Sequence, residues 1–164
     1  MIKAYLMLGE TEVPKFTVII AQKNHHTRFF EAGIHSNVPP GTVVDTEVVH
    51  PRNYDFYMCA HGGITGTLRP VHYHVLLDEI GFSPDELQNF IHSLSYVYQR
   101  STHATSLVAP ISYAHHAARQ VGQFVKSEDF VDSPENNGMT STGVIAVPDL
   151  PSLHDNVKDS MFFC

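Results

Sequence analysis

The sequence has no tryptophan, two cysteines and no long apolar run. Because Cys59 and Cys164 are too few to build a disulfide framework, we expect two free thiols in a reducing compartment. A membrane-spanning helix needs about 20 consecutive apolar residues. No stretch of the chain approaches that length. We therefore expect neither a disulfide-stapled secreted domain nor association with a membrane.

Basic residues are also scarce, since 10 Lys and Arg stand against 17 Asp and Glu for a net charge of −7. The distribution matters more than the total. Residues 1–126 carry nine basic and ten acidic residues, whereas residues 127–164 carry Lys158 and seven acidic residues. The acidity therefore belongs to the end of the chain, and a local basic surface within the first 126 residues remains open.

The apolar residues that are present follow an α/β pattern. The length of 164 residues and a hydrophobic fraction of 43% suffice for one domain with a core. Alternating and β-branched runs predict strands, and apolar residues at helical spacing predict helices. The predicted strands are 15–22, 43–49, 56–61 and 71–79, and the predicted helices are 1–10, about 83–100, about 110–125 and 151–164. We divide the chain into a core (1–126), a flexible loop (127–148) and a C-terminal tail (149–164).

Two local signals refine this pattern. Ser83, Pro84 and Glu86 form a capping box with proline at the first helical position, which predicts a helix start. No capping residue precedes the helix predicted at residues 1–10. We therefore expect the chain to begin inside a larger fold, leaving an unpaired strand edge.

Histidine is over-represented, with 12 residues. His72 and His74 alternate on a predicted strand, so both face the same side. They could begin a zinc site, but no third ligand stands at a recognisable spacing, and structural histidines are favoured. Asp45, flanked by Val43, Val44 and Thr46, is an acidic residue that we place in the interior of a predicted strand. His115 and His116 diverge by about 100° on a predicted helix, so only one of them can face inward.

The segment QKNHHTRFF (22–30) brings cations and imidazoles to the end of a predicted strand. Three partners are open for such a cluster: a metal, a carboxylate or phosphates. Phosphate contacts use scattered basic side chains, hydroxyls and backbone N–H groups on one surface. The candidates are Lys23, Arg28, Arg69, Arg100, Ser101 and Thr102. A cation at a helix end, such as Arg100, also complements the helix dipole, so the nucleic-acid interpretation stays open.

Six segments, taken in order, resemble the C-terminal part of the Piwi domain of eukaryotic Argonaute proteins. They are AQKNHHTRFF, NVPPGTVVDTEVVHPRNYDFYMCAH, GTLRPVHYHVLLDE, DELQNFIHSLSYVYQR, APISYAHHAA and the terminal SMFFC. The segments HPRNYDFYMCAHGG, DEIGFSPDELQNFIHSLSYVYQRST and DNVKDSMFFC are most similar to the plant clade that acts in small-RNA-directed DNA methylation.

The resemblance implies an α/β chain holding part of an RNase H-like fold, without its first strands. It implies binding of a small guide RNA and a target RNA in RNA-mediated gene silencing, in the nucleus, the cytoplasm or both. The implied protein partners are the remainder of an Argonaute chain and Gly-Trp-rich silencing proteins.

The resemblance also assigns residues to guide binding. The positions that match family contacts to the guide are Lys23, Arg28, His61, Arg69, Tyr98, Arg100 and Ser106. The terminal carboxylate, which the family places near the 5′-phosphate, falls on Cys164. The chain departs from the family pattern at two positions near that site. Gln120 stands where many relatives have arginine, with Arg119 one place earlier, and Ser112 stands where many have tyrosine.

Catalysis in the family uses an Asp-Glu-Asp-His tetrad around two Mg²⁺ ions. His115 matches the histidine, as both a catalytic residue and a metal ligand, and the three acids belong to family sequence that would precede Met1. We therefore expect the chain by itself to be inactive. Two alternatives to guide binding are an interaction fragment that binds no RNA and a metallohydrolase built from the histidines.

Overall fold

Four strands form one antiparallel sheet in the computed structural model, which describes residues 5–6, 12–63, 66–123 and 152–164. The strands are β1 (Thr17–Gln22), β2 (Thr42–Val44), β3 (Asp55–Cys59) and β4 (Val71–Asp78). Their spatial order is β1-β4-β3-β2. Helix α1 (Pro84–Leu94) and helix α2 (Ala109–Gly122) follow. The chain divides into two compact units, Met1–Ala109 and Pro110–Cys164.

The register of β3 and β4 sorts their side chains onto two faces. Phe56 lies opposite Tyr73, and Asp55 lies opposite His74. Because side chains alternate along a strand, the two pairs point to opposite sides of the sheet. We call the side of Phe56, Met58, Val71 and Tyr73 the core face, and the side of Asp55, Tyr57, His72 and His74 the polar face.

The core face is the most buried part of the first unit. Phe56 is fully buried, and its ring stacks on that of Tyr73 with 5.4 Å between centroids. Helix α1 contributes Leu87 and Ile91, which are also buried. Burial raises the pKa of the Tyr73 hydroxyl, and a hydrogen bond between this hydroxyl and the Val108 backbone offsets part of that rise. The core face thereby holds the chain segment that precedes α2.

Helix α1 begins at the predicted capping box. The Ser83 Oγ accepts a hydrogen bond from the Glu86 N–H, and the Glu86 carboxylate accepts one from the Ser83 N–H at 2.9 Å. The helix ends at Leu94, earlier than the predicted residue 100. Ser95, buried at 1% exposure, donates its hydroxyl to the His92 carbonyl at 2.6 Å, and its own carbonyl accepts the Thr105 N–H. These bonds turn the chain away from the helix axis.

Replacing Ser83 with alanine tests the cap. We expect Ser83→Ala to lower the free energy of unfolding by about 1 kcal/mol, because the first turn loses the acceptor for an otherwise unpaired N–H group. Urea unfolding followed by circular dichroism measures the change. Ser93→Ala is the matched control, since Ser93 is exposed on the same helix and its hydroxyl donates to the Asn89 carbonyl within that helix. Equal losses in the two variants would contradict the capping role.

Other element boundaries differ from the sequence-based prediction. Strand β2 ends at Val44 instead of continuing to residue 49, and Glu47 adopts a positive φ of 59° that interrupts an extended chain. Strand β3 begins at Asp55, which the prediction had placed in a turn. Residues 152–164 form turns where a helix was predicted. The predicted loop 127–148 and most of the predicted helix 1–10 lie outside the described residues. None of the helices found in the described ranges has the length and apolarity to cross a membrane.

Candidate nucleic-acid interface

The ends of three strands meet at one end of the sheet and carry a group of cationic and polar side chains. Lys23 directly follows β1, and Arg69 lies two residues before β4. Since Gln22 pairs with His72, Lys23 and Arg69 lie near each other at the same end of the ladder between β1 and β4. His61 lies two residues after β3, whose Met58 pairs with Val71. We call Lys23, His61, Arg69 and Ser106 the cationic cluster.

Lys23 is the centre of this cluster. Its ammonium donates a hydrogen bond to the Ser106 hydroxyl, which lies 83 residues further along the chain. Burial lowers the pKa of Lys23, and the positive charge of Arg69 lowers it further. The lysine is therefore a partly desolvated cation that is repelled by a second cation, an arrangement that an anion would relieve.

His61 adds a ring nitrogen without a partner. Burial lowers the pKa of His61, and the charge of Lys23 lowers it again. Its Nδ1 atom is buried and makes no hydrogen bond in the structure. The chain is closely packed just after His61, because a Cβ at Gly63 would lie 2.8 Å from the Cδ2 of Leu68 and would force that side chain to shift. A ring nitrogen that is buried and unpaired beside a lysine can accept a hydrogen bond or, once protonated, donate one to an anion.

No carboxylate neutralises the cluster within the described part of the chain. The two ion pairs found there join His72 to Asp55 and Lys158 to Asp155. Neither pair involves Lys23 or Arg69. Structural ion pairs normally place a carboxylate within about 4 Å of a cation. The carboxylate interpretation of the QKNHHTRFF segment therefore finds no support in these residues.

Arg28 has a different environment from Lys23. Its guanidinium donates to the carbonyl oxygens of Thr27 at 2.7 Å and His25 at 3.3 Å, so it braces its own loop. His25 lies 2.9 Å from the Pro70 carbonyl through Nε2, and its ring meets Tyr57 edge-on at 5.5 Å. This histidine, which the sequence did not single out, anchors the loop to β3 and β4. The role of Arg28 in guide binding stays a prediction.

Tyr98 and Arg100 lie in the segment that links α1 to Ser106. The Ser101 N–H donates to the Tyr98 carbonyl, and the Thr105 N–H donates to the Ser95 carbonyl at 2.8 Å. Arg100 is exposed, and Tyr98 is half-buried. The segment is thus pinned at both ends, which fixes Ser106 beside Lys23.

His115 and Cys164 lie in the second unit. His115 is exposed on α2, and Cys164 is exposed at the chain end. Within this unit the ring of Tyr113 on α2 contacts that of Phe163, with 5.5 Å between centroids. The α2 segment that carries His115 and the last residues of the chain are therefore packed together.

A second group of polar residues lies on the polar face. His72 Nε2 is 2.6 Å from Asp55 Oδ2, and Asp55 Oδ1 accepts the His50 N–H at 2.8 Å. Asp45, which the prediction placed inside a strand, lies just after β2, whereas Asp55 lies within β3. Asp55 is a third potential ligand beside His72 and His74, at a sequence separation that no spacing rule marks. The run DFYMC at 55–59 is buried at four of its five positions and does not alternate, so no periodic signal placed Asp55 in the strand.

Comparison with known proteins identifies the class. The Piwi domain family model matches residues 1–126. The chain therefore belongs to the Piwi domain family.

Curated relatives are Argonaute proteins of plants. The chain is 66% identical over 164 residues to argonaute 4B of Oryza sativa subsp. japonica, covering 99% of the chain and 18% of that protein. It is 66% identical over 163 residues to argonaute 6 of Arabidopsis thaliana, covering 99% of the chain and 17% of that protein. The chain thus spans less than a fifth of the length of these relatives, and the resemblance to the Argonaute Piwi domain is confirmed.

Solved structures show the same fold. The C-terminal lobe of a budding yeast Argonaute matches with a TM-score of 0.77 and 28% identity, over 99% of the chain and 33% of that structure. Kluyveromyces polysporus Argonaute, solved with a guide RNA, matches with a TM-score of 0.63 and 29% identity, over 74% of the chain and 16% of that structure. The expected fold class, an α/β part of an RNase H-like fold, is confirmed.

Proposed function

We propose that the cationic cluster binds the phosphate backbone of a small guide RNA, within a Piwi domain that acts in RNA-mediated gene silencing. The observation that carries this proposal is the partly buried Lys23 ammonium, which sits beside Arg69 and the Ser106 hydroxyl with no carboxylate among the described residues to neutralise it. Desolvated cations without a counter-charge are suited to an anionic ligand.

The chemistry of the cluster favours phosphate over the two other ligands considered. A metal cation would be repelled by Lys23 and Arg69. A protein carboxylate presents two oxygens, whereas a nucleic-acid backbone presents a row of phosphates that can engage spaced donors. The lysine, the arginine and the serine hydroxyl come from separate segments and can serve such a row.

The remaining assigned residues extend the same proposal. Arg28, Tyr98 and Arg100 would contact further guide phosphates, and the carboxylate of Cys164 would lie near the 5′-phosphate. The target RNA would pair with the guide. The setting would be small-RNA-directed DNA methylation, in the nucleus or the cytoplasm, with the rest of an Argonaute chain and Gly-Trp-rich silencing proteins as partners.

The slicing chemistry of the family needs Mg²⁺, and the residues of this chain do not fit it. His115 offers one exposed imidazole. Magnesium prefers oxygen ligands, and a pair of ions requires several carboxylates to hold it. The histidine is therefore proposed as one member of a shared site, and no cleavage step is assigned to these residues.

Salt dependence of RNA binding tests the proposal. The test measures the affinity for a 5′-phosphorylated, fluorescently labelled 21-nucleotide RNA by anisotropy. We expect the affinity to fall as salt is added, with the logarithm of the affinity decreasing linearly with the logarithm of the salt concentration. The slope reports the number of phosphates engaged, at about 0.7 per contact for a single strand. Two RNAs of unrelated sequence should bind alike, because phosphate contacts carry no base information. Binding that is insensitive to salt would contradict the proposal.

The protonation of His61 adds a pH dependence. Its lowered pKa leaves the ring neutral near pH 7, and a bound phosphate would raise that pKa. The ring would then take up a proton on binding, so affinity should increase as the pH falls from about 7.5 to 5.5. Anisotropy titrations across this range should show a weaker pH dependence for His61→Gln than for the parent chain.

The control for that measurement is His35→Asn. His35 is exposed and has a positive φ of 51°, which asparagine tolerates. The two substitutions each remove one imidazole, but only the first alters the cluster. A pH profile that changes equally in both variants would exclude His61 as the titrating group.

A further inference from the structure

We propose that Asp55, His72 and His74 form a binding site for a divalent transition-metal ion of the zinc type. The ligand atoms of these three side chains lie within 4.8 Å of one another on the polar face. The site shares no residue with the cationic cluster, and it does not depend on RNA binding.

The sheet itself brings the three ligands together. Asp55 on β3 lies directly opposite His74 on β4, and His72 is two residues along β4 on the same face. Opposite side chains in an antiparallel ladder have Cβ atoms about 5 Å apart, and diagonal neighbours about 7–8 Å. The backbone positions of the ligands are thus fixed by interstrand hydrogen bonds, which lowers the entropy lost when an ion is bound.

The donor set selects the class of ion. Two imidazoles and one carboxylate suit Zn²⁺ and neighbouring transition metals, whereas Mg²⁺ and Ca²⁺ prefer sites made only of oxygens. The carboxylate is buried at 4% exposure, while His72 and His74 are half-buried. An ion held there can therefore keep a water molecule at its remaining position.

Neighbouring groups orient two of the ligands. The ring of His72 stacks on Tyr57 with 4.4 Å between centroids and 15° between planes. The Asp55 Oδ1 atom accepts the His50 N–H, which leaves Oδ2 directed at His72. Contacts from residues around the ligands, such as this ring and this N–H group, commonly raise the affinity of a metal site by fixing the orientation of its ligands.

The ion would take the place of the hydrogen bond between His72 and Asp55, and the His72 ring would carry its proton on Nδ1. In the structure, His72 Nε2 and Asp55 Oδ2 are 2.6 Å apart and share a hydrogen. Ligands at about 2.0–2.1 Å from a tetrahedral zinc ion are about 3.3 Å apart. Binding therefore needs the two side chains to separate by less than about 1 Å, with His74 turning inward.

Isothermal titration with Zn²⁺ and absorption spectroscopy with Co²⁺ test the site in the 164-residue chain. We expect one ion to bind per chain. Bound Co²⁺ should give a visible absorption band of the kind that a low-symmetry coordination site produces. His74→Gln should weaken Zn²⁺ binding by about 10-fold to 100-fold, since it removes one of the three ligands. Zinc should also raise the thermal midpoint of the parent chain, because it binds the folded state, but not that of His74→Gln.

Two further variants separate this site from the other histidines. His35→Asn removes an exposed imidazole elsewhere and should leave zinc binding unchanged, and Lys23→Ala should do the same because it alters only the cationic cluster. His74 is half-buried, whereas Asp55 is buried, and a substitution at Asp55 would disturb folding. His74→Gln is therefore the variant used to test zinc binding. Failure of the parent chain to bind zinc, or equal binding by His74→Gln and His35→Asn, would overturn the proposal.

Discussion

Removing both strong cations of the cluster, in Lys23→Ala combined with Arg69→Ala, should lower RNA affinity by at least about 100-fold near 0.1 M salt. A hydrogen bond to a charged group contributes about 1.5–3 kcal/mol, and each 1.4 kcal/mol is tenfold in affinity. The slope of log affinity against log salt should fall by about 1.4, which is the loss of two single-strand phosphate contacts. Anisotropy titrations at four salt concentrations measure both quantities.

A double variant with the same charge change provides the control. Lys15 and Arg52 are both exposed and lie near the opposite end of the sheet, before β1 and before β3. Lys15→Ala combined with Arg52→Ala removes two positive charges without touching the cluster. If the two double variants lose the same affinity and slope, binding is an effect of net charge and the cluster has no special role.

The folding of the variant must be separated from its binding. Lys23 is half-buried, and its partner Ser106 would keep a free hydroxyl after the change. Loss of a desolvated cation should leave the stability nearly unchanged or raise it, because burial and Arg69 already disfavour the charge. Circular dichroism of the variant should therefore match that of the parent chain, and the affinity loss is then assigned to the missing contacts.

Local signals in the sequence predicted the elements well. The alternating runs located all four strands, and the capping box located the start of α1 at Pro84. The end of α1 was missed because Val97 continues the apolar spacing. In the structure Val97 is 54% exposed, and the turn is set by the bond between Ser95 and Thr105, ten residues apart. Such a bond leaves no periodic trace in the sequence.

The candidate site was predictable only in part. The residue types at 23, 28 and 69 indicated phosphate chemistry, but no spacing rule connects Lys23 with Ser106, 83 residues away. The family resemblance assigned both residues to guide binding, but the contact between them was not predicted. Asp55 was missed because a shift of one residue in a strand boundary moved it into a turn, although its opposition to His74 depends on strand register.

Truncating the central core residue should have the largest effect on stability. Phe56 is fully buried, stacks on Tyr73 at 5.4 Å and lies 5.7 Å from the ring of Tyr54. Phe56→Ala should lower the free energy of unfolding by about 3–5 kcal/mol, from lost apolar transfer and an unfilled cavity. Phe30→Ala, at a side chain that is 52% exposed, should cost less than about 1 kcal/mol. Because the chain has no tryptophan, urea unfolding is followed by circular dichroism.

Phe56→Ala should also affect the cationic cluster, through the contacts that connect the core face to Ser106. Phe56 supports Tyr73, the Tyr73 hydroxyl is hydrogen-bonded to the Val108 backbone, and Val108 lies two residues after Ser106. Loosening this path should let Ser106 leave Lys23, so Phe56→Ala should weaken RNA binding even at temperatures where the chain stays folded. Its salt slope should nevertheless stay close to that of the parent chain, because both cations remain. An affinity unchanged in folded Phe56→Ala would show that the cluster holds its geometry without support from the core face.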